Sequence, residues 1–374
     1  MFRLLSLVAL VLTILPVAGQ DVAPIRVMQR VDTAHPHVRE VLGQWTDSLR
    51  EWRDAGPTDT RSQYTAGMAS VVKNWFSADP DVVRRYSATV MSVEYDGSGW
   101  VVRTLFAQSD VSAKVMIPLG IVRARFVLAP QPAGRIGWVL DDALRDRVAA
   151  WDTIRVGRIT YHHPPGVMID TVRALASNRF LDETATRFGQ PVPDHVHVFV
   201  ARDRDEVSAL LGVEYHAFPP QAISFPQAGT VFESLPEIQR DHELVHIIFR
   251  SFDNAHPILR EGLATLLGGT GSLDFPDALG QYLDEREGAR IPSFVELFTA
   301  DGVDEADVYV LGGVLCDLVL RFHGRKALLD LLRIERPSDV MMALSDLLGF
   351  DIADRQGSLR SYAETARSRG VTGR

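Results

Sequence analysis

His242-Glu243-Leu244-Val245-His246, followed fifteen residues later by Glu261 within Leu259-Arg260-Glu261-Gly262-Leu263-Ala264, carries most of what this chain reveals. Two histidines four apart on a helix share one face, with Cβ atoms about 5–6 Å apart. Each imidazole can then offer a nitrogen to one Zn²⁺ at about 2.0–2.1 Å. Glu243 stands about 100° round the same helix, beside such an ion without binding it, where a base for an ion-bound water belongs. A second helix bearing the Glu261 carboxylate supplies a third ligand and leaves a fourth position open. Open coordination of this kind belongs to catalytic rather than structural zinc.

The flanks agree with helices at both places. Pro236 suits a first helical turn, where its missing N–H costs nothing. The pattern predicts a helix over 237–252, and Ile238, Leu244, Val245, Ile247, Ile248, Phe249 and Phe252 make most of its surface apolar, hence buried. Asp253, Asn254, His256 and Pro257 turn the chain into a short helix over 258–267, which Gly268-Gly269 stops.

This constellation resembles the gluzincins, zinc metallopeptidases with two histidine ligands and one glutamate, and within them the bacterial peptidase-MA-like group. The resemblance spans roughly residues 155–350 and is strongest over 241–269. It implies His242, His246 and Glu261 as ligands of one Zn²⁺, with Glu243 as general base and proton shuttle. Ala306-Asp307-Val308-Tyr309-Val310-Leu311-Gly312-Gly313, closed by His323-Gly324, is similar to the family's tyrosine helix, so Tyr309 inherits the role of hydrogen-bond donor to the oxyanion. It further implies that the strand over 229–233 is a sheet edge that receives substrate backbone. Two positions depart from related patterns. Phe252 stands where metzincins have a third histidine, which leaves Asp253 and His256 as rival third ligands without a supporting motif. Thr265 stands where thermolysin-like relatives carry a histidine-orienting aspartate, so the groups that orient the ligands are open, with Asp253 and Asn254 as candidates.

Composition narrows the setting. Residues 1–19 read as a secretory signal: Met1-Phe2-Arg3, an apolar run over 4–15, then Pro16-Val17-Ala18-Gly19, with cleavage before Gln20. The run is short for a bilayer span of about 20 residues, and no cysteine follows it as a lipid anchor would require. A secreted or periplasmic protein, without stable membrane insertion after cleavage, is the expectation. The net charge of −9 argues against nucleic acid and anionic membrane surfaces, and the resemblance implies a peptide or protein substrate. Cys316 is the only cysteine, so no internal disulfide forms; on an apolar helix face it reads as a small buried hydrophobe.

The chain of 374 residues has room for two domains after the signal. Over 20–150, helices spaced on Val38, Val41, Leu42, Trp45, Leu49 and Trp52, and again over 64–76, precede strands over 89–95, 100–107, 120–128 and 136–140. The turns fall at Asp96-Gly97-Ser98-Gly99 and Gln131-Pro132-Ala133-Gly134. That is a small α+β module whose pattern is similar to NTF2-like folds. Over 151–374 the expectation is a gluzincin, thermolysin-like catalytic domain: strands over 154–162, 195–201, 222–225 and 229–233, a helix over 170–188, then helices almost throughout. The fold class is therefore α+β. His162-His163 reads as a strand end, because adjacent strand residues face opposite ways. Gly268-Gly269-Thr270-Gly271 reads as a helix stop rather than a phosphate cradle, since it closes a helix and lacks the lysine.

The functional expectation is an exported zinc metallopeptidase. The alternative is a catalytically idle zinc-binding envelope protein with a peptidase-like fold, and a non-peptide zinc hydrolase is a third option. Glu243 favours the first, because a purely structural site needs no base.

Overall fold

The computed structural model describes residues 25–55, 82, 86–110, 115–130, 135–141, 143–235, 240–287, 290–299, 303–334, 336–349 and 358–369. The proposed signal, the helix over 64–76, the turn over 131–134 and Pro236 lie outside these residues. The architecture is mixed α+β: two sheets, then a helical C-terminal part.

The first sheet runs β1 (Arg26–Val27), β2 (Ser87–Tyr95), β3 (Trp100–Asp110), β4 (Val115–Pro130), β5 (Ile136–Leu140) in spatial as in chain order. The β2–β3 turn closes because Asp96 Oδ1 accepts from the N–H groups of Ser98 and Gly99, while Gly97 takes φ +95°. Across this sheet lies α1 (Pro36–Ala55), burying Val41, Trp45 and Leu49 among Val102, Phe106 and Phe126. The Trp45 indole does not go in unsatisfied: its N–H donates to Thr104 Oγ1 at 2.8 Å.

After α2 (Ala143–Arg147), the second sheet is built from β6 (Asp152–Val156), β7 (Ile159–His163), β8 (Val196–Ala201), β10 (Ala222–Phe225) and β11 (Thr230–Ser234), in the order β10-β11-β8-β7-β6. Its inner strands β11, β8 and β7 are parallel, and the antiparallel β10 and β6 flank them. Period-two alternation gives the sheet two apolar faces. Tyr161, Val196, Val198 and Val231 pack towards α3 (Thr171–Phe188) and the later helices; Phe199, Phe225 and Phe232 join the core of the first sheet. Asp170 caps α3 by accepting from the N–H of Val172 and Arg173.

The first sheet is completed from beyond residue 151. After α4 (Arg204–Leu210), β9 (Val213–His216) pairs antiparallel with β4, and Val207, Leu210 and Val213 enter the same core as Trp45 and Phe126.

Two expectations change. The strand over 154–162 is a hairpin of β6 and β7, because Gly157 takes φ +61° and reverses the chain. The strand over 229–233 corresponds to β11, which is bonded on both sides; the edge is β10. A strand paired twice has no backbone groups left for a substrate.

The remaining helices are α5 (Arg240–Ile248), α6 (Pro257–Gly268), α7 (Phe275–Glu285), α8 (Phe294–Thr299), α9 (Gly312–Leu331), α10 (Pro337–Leu348) and α11 (Ser358–Arg369). Helix α5 ends sooner than the apolar pattern predicts, passing into a 3₁₀ turn over Arg250–Phe252. Among the described residues, no helix is long and apolar enough to cross a membrane.

Candidate metal centre

One turn of α5 separates His242 from His246, whose rings lie 5.1 Å apart with planes inclined at 71°. Both Nε2 atoms face the same oxygen on α6: Glu261 Oε2 is 3.4 Å from His242 and 3.2 Å from His246. Ligand atoms at the corners of a tetrahedron about 2.0–2.1 Å from zinc stand about 3.3–3.4 Å apart. Both imidazole–carboxylate separations match that spacing, and all three donor atoms lie within 4.8 Å of one another. Among the described residues they form the one group of histidine, cysteine or carboxylate side chains able to do so. Asp253 and His256, the rival third ligands, lie outside it.

His242 is oriented by backbone. His242 Nδ1 lies 2.8 Å from the Gly269 carbonyl oxygen. A carbonyl only accepts, so Nδ1 carries the proton and Nε2 keeps its lone pair for an ion. Gly269 thus does what Thr265 cannot; Thr265 is buried with its hydroxyl unbonded. Gly269 has φ +79°, a conformation suited to glycine, and a Cβ there would overlap the Leu273 carbonyl. A Cβ on Gly268 would collide with the His242 backbone nitrogen, so the end of α6 sits directly against α5. Gly269→Ala should weaken metal binding by about 10–100-fold, the usual effect of losing an orienting partner; a competitive chelator titration checks it.

Glu261 is held from its other oxygen. Arg260 Nε donates to Oε1 at 3.1 Å, and Arg260 Nη1 donates to the Asp253 carbonyl at 3.0 Å. Asp253 thus acts through its backbone and through Arg260, not on a histidine. Asn254 is exposed. His256 caps α6, its Nδ1 accepting from the Ile258 N–H at 3.4 Å.

The local charges reinforce one another. Burial would raise the Glu261 carboxyl, but His246 and His242 hold it well below the usual carboxylate range. Burial works against a charged His242, yet the hydrogen bond its ring donates to Glu261 and the charges of Glu243 and Glu261 raise it above the ordinary 6.5. Glu243 is buried beside the pair and outside the ligand group.

Tyr309 stands across the site, its ring 5.5 Å from that of His242. It lies on a π-helical turn, Asp307–Leu311, that leads into α9. Such turns carry one more residue than an α-turn and concentrate at functional sites. Burial first, then the charges of Glu261, Glu305 and Glu243, push its phenol well above the ordinary value, so it stays a hydrogen-bond donor. Two glycines bring it there. A Cβ on Gly262 would overlap the Gly312 backbone, and one on Gly312 would overlap the Ile258 carbonyl, so α6 and α9 cross in backbone contact. The composition contained these residues but not their pairing. His323 is exposed, and Gly324, at φ +75°, interrupts α9.

His162, read as a strand end, belongs to a separate cluster. It stacks on Phe199 at 4.5 Å, and its Nε2 lies 2.9 Å from His197 Nδ1. Burial, then repulsion from His197, His195 and His163, pushes it down to about 4. Unfolding frees it to titrate near 6.5, so the unfolded chain binds more protons between the two values. Stability from this group is thus full above 6.5 and is lost as pH falls towards about 4. His162→Phe, which keeps a ring against Phe199, should flatten the dependence of Tm on pH across that window.

No protein-family model matches the chain, and no curated protein matches it in sequence.

Proposed function

We propose that this chain is an exported zinc-dependent metallopeptidase, with His242, His246 and Glu261 as ligands and Glu243 as general base. The observation that carries this reading is a single carboxylate oxygen, Glu261 Oε2, at 3.2 and 3.4 Å from two imidazole nitrogens, with Glu243 buried beside them. Two imidazoles, one carboxylate and an anchored tautomer are the donor set zinc takes in hydrolases.

Zinc bound there supplies Lewis acidity and makes water acidic enough to attack near neutral pH. The chain's own groups do the rest. Glu243 accepts the proton of the attacking water and delivers it to the leaving amine as the C–N bond breaks. The Tyr309 hydroxyl donates to the oxygen on which negative charge develops. Arg260 and the Gly269 carbonyl hold the ligands in place throughout. Among the described residues β10 pairs with β11 alone and packs beside α5, so an extended peptide has that edge to add to.

The test is a peptide-library digest by the metal-loaded protein beside its Glu243→Gln variant, with metal analysis of both. Cleavage by the wild type alone, at equal metal content, supports the reading. Equal cleavage by both, or by neither, overturns it.

A further inference from the structure

Asp307 opens the π-helical turn that carries Tyr309, and its carboxylate is buried. Three groups converge on it. The Tyr282 hydroxyl, from α7, donates to Oδ1 at 2.6 Å. Arg286 Nη2, one turn further along the chain, stands 3.1 Å from the same oxygen. The Asp304 N–H donates to Oδ2 at 3.3 Å, and Asp304 Oδ1 accepts from the Asp307 N–H at 2.8 Å, a reciprocal cap. Arg286, the residue that caps the end of α7, also pairs with Asp304 and lies 5.3 Å over the Tyr282 ring, so these two partners are tied together as well.

An ion pair with one buried carboxylate is a poor device for stability, because desolvating that charge offsets the attraction. It is a good device for holding one backbone geometry. Burial raises the Asp307 carboxyl above its ordinary value, while Tyr282 and Arg286 act in the opposite direction. Downstream, the turn is pinned by the Gly312 backbone crossing Gly262. Tyr309 therefore sits between two fixed points, one polar and one steric.

We infer that Tyr282 and Asp307 are positioning residues: a latch from α7 that fixes the π-helical turn and thereby aims the Tyr309 hydroxyl at the metal centre. The inference rests on the proposed role of Tyr309. Neither Tyr282 nor Asp307 belongs to the ligand group.

Tyr282→Phe removes a single hydroxyl and leaves the ring beneath Arg286. The variant should keep its metal, show faster amide hydrogen exchange over 307–311, and lose about 10–100-fold in kcat with KM unchanged, as a misaimed group does. In a Tyr309→Phe background, the same substitution should change kcat no further, whereas a merely structural role would give additive losses. Unchanged exchange over 307–311, or additive losses, overturns the latch. If the wild type cleaves no peptide, the proposed function fails, and the exchange measurement alone decides whether the latch holds the turn. Should Tyr282→Phe not fold, Asp307→Asn, which keeps the side chain's size, is read in the same way.

Discussion

Glu243→Gln keeps its metal and cleaves peptides about 10²–10⁴-fold more slowly than the wild type, the range expected for loss of a general base. The substitution is nearly isosteric, and Glu243 lies outside the three-residue ligand group, so the metal spacing survives. What disappears is a buried carboxylate beside the histidines, outside the ligand group, that can take a proton and give it back. A negative charge that weighs on both His242 and Tyr309 goes with it. Lower metal content in the variant would assign Glu243 to holding the ligands. Wild-type turnover would remove the proposed mechanism altogether.

Glu261→Ala loses metal, with affinity falling by more than the roughly 100-fold that bounds the effect of orienting partners. Two imidazoles remain, and Arg260 loses the carboxylate oxygen it bonds at 3.1 Å. Asp253→Ala and His256→Ala are the informative controls, because both were rival third ligands. Each should retain metal. Asp253 reaches the site only through Arg260, by its carbonyl and by its carboxylate at 3.9 Å, and His256 is spent on the first turn of α6. Calorimetric titration of zinc into the three metal-free variants ranks them directly. Tight binding by Glu261→Ala with loss in either control would reassign the third ligand.

Parts of this were open to reading from the residues. The limits of β5 and β10 coincide with the stretches predicted, since each is a short apolar run bounded by turn-forming residues. His242 and His246 share one helix face as their spacing requires, and Glu261 converges on them as the resemblance implies. Other parts had no side-chain signature. The partner of His242 is a main-chain carbonyl, which any residue could supply, and only the Gly269 conformation points to it. The Gly262–Gly312 crossing joins two helices far apart in the sequence, and neither glycine announces its mate. The π-helical turn under Tyr309 adds a residue without altering the apolar pattern. The edge strand was misplaced because the neighbours of a strand are chosen by long-range pairing, not by its own composition. At Gly157 the reversal hides inside an alternating run, and only the positive φ betrays it.

The excursion of α4 and β9 into the first sheet bears on how this molecule can be dissected. A fragment begun near residue 151 would carry β9 with its β4 partner missing, and Phe199 and Phe232 without the core residues supplied from before it. Trimming the front half therefore leaves an interrupted body rather than an autonomous one. The sheet beside the His242 helix thus has its other face in the core that holds Trp45, more than one hundred and ninety positions upstream.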